Sequence, residues 1–296
     1  MKLAPIGIIT YSRINHLKKT INSLKSNELA KESELYIFSD AAKKGDEKIV
    51  KEIRKYIHSI NGFKKVHIIE RYINDRFKNA LLGMESLFEK YDRYIFMEDD
   101  NIVSPSFLKF MNEALEYYKD DNNVFAVGGH TPNLKANKES ASDVYFSKRF
   151  HPWGYALWRD KDIGHQYLPS VDKIAKDKEL ILNLDKWGND LIDMVKLDAK
   201  GIIDTGDLKY CYYMNKNDKY MVLPTATLVR NIGLDGSGQH CGNKDPYVND
   251  ILSEKKVFKF EKVYHNAITQ KEYKNFYDKP SLFNRIKNKL MKRNKN

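Results

Sequence analysis

Three consecutive acidic residues stand out in the sequence because they follow directly on an apolar run. Residues 94–97 are rich in types that favour β-strands, and Glu98, Asp99 and Asp100 come immediately after them. Adjacent carboxylates repel one another, so their crowding indicates that a positive group offsets them. Mg²⁺ and Mn²⁺ prefer carboxylate oxygens and usually keep phosphates as further ligands. The triplet therefore predicts a divalent cation that carries a phosphorylated ligand, and the alternative interpretation is a solvated acidic turn.

The elements that precede the triplet predict that it lies at the edge of a sheet. Residues 6–10, 35–38 and 66–69 are further β-rich runs, and each is followed by apolar residues at helical spacing. This alternation predicts a parallel, Rossmann-like sheet with helices on its faces and right-handed crossovers. Ser104 and Pro105 predict the N-cap and first residue of the next helix. Ligands of open α/β sheets bind at the edge where such strands end.

A helix is also predicted between the third strand and the triplet. Asp75 is the expected N-cap of this helix. At helical spacing, the apolar positions of its predicted buried face are Phe77, Leu81, Met84 or Leu82, and Phe88.

Polar residues at the ends of the other parallel strands are expected beside the triplet. The first strand runs into Thr10, Tyr11 and Arg13, and the second ends at Asp40. Arg13 suits a phosphate or the base of a nucleotide, and Asp40 suits a base N–H or a ribose hydroxyl. These side chains and the acids together predict a site for a nucleoside diphosphate. The alternative is that Arg13 and Asp40 are ordinary turn and helix-start residues.

Composition excludes several other classes of protein. The 296 residues are 42% hydrophobic, which suffices for the core of one large α/β domain, and no apolar run approaches the roughly 18 residues that span a bilayer. Cys211 and Cys241 give neither a zinc spacing nor a disulfide framework, so we expect a cytoplasmic protein. No G-x-G-x-x-G motif follows the first strand, and no P-loop is present. Both absences argue against dinucleotide oxidoreductases and P-loop NTPases.

The formal net charge of +11 is concentrated at the C-terminus. Residues 271–296 carry nine Lys or Arg and two acids, so they account for +7 and leave only +4 for the first 270 residues. No nucleic-acid-binding module is recognisable, and we expect no nucleic-acid partner. Apolar and basic residues alternate after residue 277, which predicts a basic amphipathic helix suited to an anionic membrane surface. A solvated terminus is the alternative.

The motifs, taken in order, resemble those of nucleotide-sugar glycosyltransferases of the GT-A fold. Residues 10–17 are similar to the Thr-Tyr-Asn-Arg-x-x-x-Leu start of these enzymes, and residues 98–100 to their Asp-x-Asp-type motif. Residues 153–158 resemble the Trp-Gly-x-x-x-Trp segment of bacterial members, and residues 223–240 resemble their polar, glycine-rich loop. The sequence is most similar to the N-acetylglucosaminyltransferase I family and to related bacterial family-2-like sugar transferases.

This resemblance implies a role for each matched position. It implies that Asp100 and His240 contact the metal, Mn²⁺ or Mg²⁺, and that Trp153 and Gly154 contact the acceptor; a buried core role is the alternative for Trp153. The residues implied to bind the nucleotide are Thr10, Tyr11, Arg13, Asp40, Arg76, Glu98 and Asp99.

The resemblance also implies a catalytic base at Asp207, which lies at a compatible spacing before Pro224. The tryptophan that precedes the base in the family is replaced by Gly206, so Asp190 stays open as the alternative. The base would take the proton of the acceptor hydroxyl as it attacks the anomeric carbon, and the metal would neutralise the departing diphosphate. A single displacement of this kind inverts the configuration of the sugar.

The resemblance therefore implies a metal-dependent, inverting hexosyl- or N-acetylhexosaminyl-transferase. Its donor would be a nucleotide sugar, most simply of UDP, and its acceptor a glycan or lipid-linked glycan in bacterial surface polysaccharide or lipopolysaccharide biosynthesis. We expect one GT-A domain over residues 1–265, with a nucleotide-binding half (1–104) and an acceptor-binding half (105–265). Residues 266–296 would form the basic tail, peripheral on the inner face of the cytoplasmic membrane.

Two alternatives share the fold but not the activity. A sugar-phosphate nucleotidyltransferase also has a Rossmann-like sheet and an acidic metal site, but it is expected to carry a glycine-rich phosphate loop after the first strand, which is absent here. A non-catalytic glycan-binding module is the second alternative.

Overall fold

A mixed eight-stranded sheet runs through the computed structural model, which describes residues 2–138, 141–162, 164, 168–237, 247 and 250–278. In chain order the strands are β1 (Ile6–Thr10), β2 (Glu34–Ser39), β3 (Lys65–Glu70), β4 (Arg93–Glu98), β5 (Asn101–Val103), β6 (Val124–Gly128), β7 (Val144–Ser147), β8 (Tyr155–Trp158), β9 (Tyr220–Pro224) and β10 (Val229–Asn231). The helices are α1 (Ile14–Lys25), α2 (Glu47–Ile57), α3 (Arg76–Lys90), α4 (Phe107–Tyr117), α5 (Lys135–Lys138), α6 (Val171–Lys176), α7 (Lys178–Asp185), α8 (Asp190–Asp198), α9 (Asp207–Lys216) and α10 (Ala267–Tyr277).

The strand order of the main sheet is β3-β2-β1-β4-β8-β6-β9-β7. The first four of these strands are parallel neighbours, as the sequence predicts. β8 runs antiparallel between β4 and β6, and β7 runs antiparallel to β9 at the far edge. The remaining two strands, β5 and β10, pair with each other in a small antiparallel ladder. The prediction of a mostly parallel, Rossmann-like sheet is confirmed.

Separate hydrophobic clusters cover the two faces of the sheet. One cluster contains Ile6 and Ile8 of β1 with the buried residues of α1 and α4, and the other contains Phe38 of β2 and Phe96 of β4 with buried residues of α7, α8 and α9. Alternate residues of a strand point to opposite faces, so β1 and β4 can contribute to both. Burial on both faces explains why these strands are continuous apolar runs.

The buried face of α3 matches the prediction in part. Met84 and Phe88 are partly buried and pack against the core, as predicted. The fully buried residues, however, are Asn79, Gly83 and Leu87, and Phe77 is 37% exposed. A Cβ on Gly83 would lie 3.0 Å from the ring of Phe38, so the helix lies close against β2. This close approach depends on a residue without a side chain, which an apolar periodicity does not detect.

The start of α4 also differs from the prediction. The helix begins at Phe107, after Ser106, rather than at Pro105. The backbone N–H of Ser104 donates to the carbonyl of Leu228 at 2.9 Å, and the hydroxyl of Ser104 donates to the carbonyl of Ser253. These two bonds tie Ser104 to distant segments, and residues 105 and 106 form a turn before the helix.

Part of the predicted tail belongs to the folded body. In α10, Tyr273 is fully buried, and Lys274 forms an ion pair with Asp185 at 2.8 Å. The domain boundary at residue 266 stays a prediction, and residues 279–296, which carry most of the predicted amphipathic helix, lie outside the described residues. No helix in the described part of the chain is long and apolar enough to cross a membrane.

The predicted N-cap of α3 is confirmed, since a carboxylate oxygen of Asp75 accepts from the backbone N–H of Lys78 at 3.0 Å. We expect Asp75→Ala to lower the free energy of unfolding by about 1 kcal/mol, the usual value of such a cap. Ser170 precedes α6 without a side-chain cap bond, so Ser170→Ala is the matched control and should stay within about 0.5 kcal/mol of the wild type. Urea unfolding measures both variants, and equal losses would contradict the assignment.

Candidate functional site

The guanidinium of Arg13 bridges two of the three acids. Its Nη2 lies 2.5 Å from Oδ1 of Asp99, and its Nη1 lies 2.6 Å from Oδ2 of Asp100. Both aspartate side chains are 5% exposed, and that of Arg13 is 23% exposed. Burial disfavours the charge of Arg13, but the two carboxylates outweigh this cost and raise its pKa above the ordinary value. Arg13 follows β1 and the acids follow β4, so two neighbouring parallel strands bring the three side chains together.

Asp99 has further partners on β1 and α1. The hydroxyl of Thr10 donates to its Oδ2 at 3.0 Å, and the hydroxyl of Thr20 donates to its backbone carbonyl at 2.9 Å. Two of the residues predicted to bind the nucleotide, Thr10 and Arg13, are therefore held in direct contact with a third, Asp99.

Two asparagines hold the other oxygen of Asp100. The side-chain amides of Asn101 and Asn231 both donate to its Oδ1 at 2.9 Å. Asn231 lies opposite Asn101 in the β5–β10 ladder, and the backbone N–H of Ile232 donates to the carbonyl of Asp100. The β5–β10 ladder therefore brings Asn231 and Ile232 into contact with Asp100.

Gly233 lies directly against this pair of charges. A Cβ at this position would lie 2.2 Å from Oδ2 of Asp100 and 2.7 Å from Nη1 of Arg13. Its backbone N–H donates to the side-chain oxygen of Asn231 at 2.7 Å. The site thus requires glycine here because the backbone itself covers the carboxylate.

Glu98, the first acid of the triplet, has a different environment from the two aspartates. Burial and the neighbouring charge of Asp100 raise its pKa to about 8, against the opposing charges of Arg13 and Arg76. Burial and the neighbouring carboxylate therefore favour the neutral form of Glu98. The three acids do not act as one cage of carboxylates.

Asp40 and Tyr11 make contacts within their own half of the molecule. The carboxylate of Asp40 accepts from the backbone N–H groups of Ala41 at 2.9 Å and Asp75 at 3.2 Å, and from the amide of Asn74 at 3.1 Å. The hydroxyl of Tyr11 donates to Asp46. Asp40 therefore fixes the loop between β3 and α3, and its contact with a nucleotide stays a prediction.

Arg76 connects the start of α3 to the segment before α9. Its Nη2 lies 3.9 Å from a carboxylate oxygen of Asp204, and half of its side chain is exposed. Its charge also acts on Glu98. Arg76 is thus a half-exposed cationic side chain whose charge acts on Glu98.

The two candidates for the catalytic base are in different situations. Asp190 accepts two hydrogen bonds from Arg149, each at 2.7 Å, and both side chains are largely buried. Asp207 is the first residue of α9 and is half-buried. Its charge and that of Glu98 both act on the hydroxyl of Tyr155, whose pKa is raised chiefly by burial. Asp190 is therefore held in a buried ion pair with Arg149, and a role for either aspartate as the base stays a prediction.

Trp153 and Gly154 lie beside a buried histidine. The ring of Trp153 is 4.6 Å from that of His130 and 5.2 Å from that of Tyr247, and it is half-buried against the core. Burial lowers the pKa of His130 to about 4, so the ring is neutral, and its Nε2 makes no hydrogen bond within the described part of the chain.

Gly154 has φ +63°, and a Cβ there would lie 2.9 Å from Val229. The acceptor contacts of Trp153 and Gly154 stay predictions, and His240 lies outside the described residues.

Sequence reasoning gave no role to Asn101, Asn231 and Gly233. Asn231 and Gly233 belong to the glycine-rich motif, but their contact with Asp100 joins positions 131 residues apart. Asn101 directly follows Asp100 in the sequence, and this adjacency is the local feature from which its amide contact with Asp100 could have been predicted.

The described residues do not offer a divalent cation a ligand set in this conformation. Among them, no group of three or more His, Cys, Asp or Glu side chains could hold a metal. Oδ1 of Asp100 accepts from two amides, and its Oδ2 contacts Arg13 under the backbone of Gly233. A cation would have to replace one of these N–H donors.

The family follows from a comparison with known proteins. The sequence profile of glycosyl transferase family 2 matches residues 6–166, which is more than half of the chain. The chain therefore belongs to glycosyl transferase family 2, and it is a glycosyltransferase of the GT-A fold. This confirms the predicted family-2-like resemblance, the fold class and the enzyme class. No curated protein matches the chain.

Several solved structures are similar at low identity. S. aureus TarS has 11% identity and a TM-score of 0.42, covering 77% of this chain and 36% of TarS. Mannosyltransferase PcManGT from Pyrobaculum calidifontis, solved with GDP-Man and Mn²⁺, has 13% identity and a TM-score of 0.41, covering 72% and 69%. TarS 1-349 with UDP-GlcNAc has 13% identity and a TM-score of 0.40, covering 77% and 57%. The chain thus spans about a third of the TarS chain in the first of these structures, and the TM-scores are too low to support an argument about function.

The contact of Gly233 with the acids leads to a direct test. We expect Gly233→Ala to displace Arg13 from Asp100, because the new Cβ would overlap both side chains. The variant should unfold at a lower temperature and bind nucleoside diphosphates at least about tenfold more weakly, which corresponds to about 1.4 kcal/mol. Thermal unfolding and calorimetric titration measure the two effects. Wild-type values for both would contradict the described geometry.

Proposed function

We propose that the chain transfers a sugar from a nucleotide-sugar donor to a hydroxyl of a glycan. The observation that carries this proposal is the convergence of Arg13, Asp99 and Asp100 at the end of β1 and β4, covered by the segment that follows β10. Membership of glycosyl transferase family 2 supports the reaction class. UDP as the nucleotide is proposed from the sequence resemblance alone.

The charges around the acids support a diphosphate as the group bound there. Arg13 already contacts both aspartates, while the half-exposed Arg76 lies near Glu98 on the side of the second half. The raised pKa favours the neutral form of Glu98, which adds no negative charge and can donate a hydrogen bond to a phosphate or ribose oxygen. We propose that Arg76 and the N–H groups of Arg13 bind the departing diphosphate.

The base proposed for the reaction is Asp207. Asp190 is a poor candidate because both of its oxygens are engaged by the guanidinium of Arg149. In the proposed step the acceptor hydroxyl attacks the anomeric carbon, its proton passes to the carboxylate of Asp207, and the bond from that carbon to the diphosphate oxygen breaks. Attack opposite the leaving group inverts the sugar.

A bound divalent cation would supply Lewis-acid stabilisation of the diphosphate. No step of this proposal passes through it, because Asp100 is occupied by N–H donors in the described conformation. The setting in bacterial surface polysaccharide or lipopolysaccharide assembly, with a glycan or lipid-linked acceptor, is proposed from the resemblance. Contact of residues 279–296 with an anionic membrane is proposed from their sequence.

A pair of isosteric variants tests the assignment of the base. Asp207→Asn should lower kcat by about 10²- to 10⁴-fold, the usual contribution of a general base, with little change in the KM for the donor. Asp190→Asn leaves Arg149 buried without its carboxylate, so it should lower the free energy of unfolding by about 3 kcal/mol while the folded enzyme stays active.

Steady-state kinetics and urea unfolding of both variants provide the measurements. The opposite pattern, an active Asp207→Asn and a stable but inactive Asp190→Asn, would show that Asp190 is the base.

A further inference from the structure

A small cavity lies between the start of α3 and the segment that leads into α9. Its volume is about 240 Å³, and its walls come from Phe77 of α3, from residues 170–172 and from residues 198–209. Neither Arg13 nor any residue of the acid triplet lines it. Pockets for drug-sized ligands begin at roughly 300 Å³, so this cavity suits a smaller group, such as a single ring.

Phe77 supplies the aromatic wall of the cavity. It is the second residue of α3, and it is 37% exposed although its spacing in the sequence predicts burial. The C–H groups on one face of a sugar ring form an apolar surface, which packs well on a flat aromatic ring. A partly exposed phenyl ring in a small cavity therefore favours a flat ligand with an apolar face.

The polar wall is rich in carboxylates. Asp172, Asp198 and Asp204 all line the cavity, and Lys209 is the one cation among its described lining residues. Asp198 accepts from the backbone N–H of Thr205 at 2.7 Å and from its hydroxyl at 2.6 Å, which fixes this part of the wall. Carboxylate oxygens accept strong hydrogen bonds from hydroxyl groups, and they repel an anionic ligand. The lining thus suits a neutral ligand with several hydroxyls.

The cavity adjoins two groups to which the proposed reaction gives a role. Gly206 lines it, and the next residue is Asp207, whose Cα lies about 3.8 Å from that of Gly206 across the peptide bond. On the other wall, Arg76 directly precedes Phe77, and its Nη2 donates to the carbonyl of Asp204 at 3.5 Å. A ligand in the cavity would therefore lie beside the proposed base.

We propose that this cavity is the subsite for a neutral saccharide unit of the acceptor, with the sugar ring packed on Phe77 and its hydroxyls donating to the aspartates. The inference rests on the proposed function in taking a glycan as the acceptor and Asp207 as the base. It adds a specificity: the three carboxylates exclude an acceptor unit that carries a phosphate or a carboxylate of its own.

Binding of simple sugars tests the subsite directly. The probes are the methyl glycosides of glucose, galactose, mannose, N-acetylglucosamine and N-acetylgalactosamine, titrated without nucleotide and followed by saturation-transfer NMR. At least one should bind the wild type, and Phe77→Ala should weaken its binding at least about fivefold because the ring face is lost. The 6-phosphate of the sugar that binds should compete with its glycoside at least about tenfold more weakly than the neutral sugar does.

Leu82→Ala is the matched control. Leu82 lies on the same helix and is 39% exposed, but it does not line the cavity. This variant should bind the glycoside like the wild type, and thermal unfolding of both variants verifies that they fold. If Phe77→Ala does not fold, Phe77→Leu decides, because leucine keeps an apolar side chain without the flat ring and its binding must still be weaker.

Several outcomes would overturn the inference. They are no binding of any glycoside to the wild type, undiminished binding by the folded Phe77 variant, equal weakening in Leu82→Ala, or equal competition by the 6-phosphate. None of these titrations uses a sugar donor, so a failure of the proposed function would appear separately, as absence of donor binding or turnover.

Discussion

The pairing of one guanidinium with two adjacent buried carboxylates is the interaction on which the site depends. Without Arg13, the chain would have to bury Asp99 and Asp100 side by side with no counter-charge, which is among the most costly arrangements in a protein interior. Three strands position the groups of this pairing. Arg13 lies just after β1, the two aspartates lie just after β4, and Asn231 of β10 donates a hydrogen bond to Asp100. The site at the ends of β1 and β4 is therefore completed by Asn231 of β10.

A second buried pair of opposite charges, Arg149 and Asp190, lies away from the acids. Arg149 and Asp190 form a bidentate, buried contact, and the ring of Tyr277 of α10 lies 3.7 Å from the guanidinium. This pair joins the loop before β8 to α8, and the ring of Tyr277 adds a contact with α10, so the pair stabilises the packing of these elements. Asp207 lies at the start of α9, close enough for its charge to act on Tyr155.

The sequence predicts well what local pattern and chain direction determine. The parallel strands and their polar ends at Thr10, Asp40 and Glu98 follow from periodicity and from the common direction of the strands. Contacts between distant segments cannot be predicted in this way, because a local pattern does not indicate which distant segment a residue contacts. Examples are the hydrogen bond from Asn231 to Asp100 and the hydrogen bonds from Ser104 to Leu228 and Ser253. The approach of α3 to the sheet depends on Gly83, where the informative feature is an absent side chain.

The central claim is that the sheet edge at Arg13, Asp99 and Asp100 binds a nucleotide-sugar donor. The most direct measurement is thermal unfolding of the wild type against a panel of UDP-, GDP-, CMP- and dTDP-sugars with Mn²⁺. A donor at about 100 times its Kd stabilises the folded state by about 3 kcal/mol, so the cognate nucleotide sugar should raise the Tm clearly. The corresponding nucleoside diphosphate should compete with it. No shift with any donor would contradict the account.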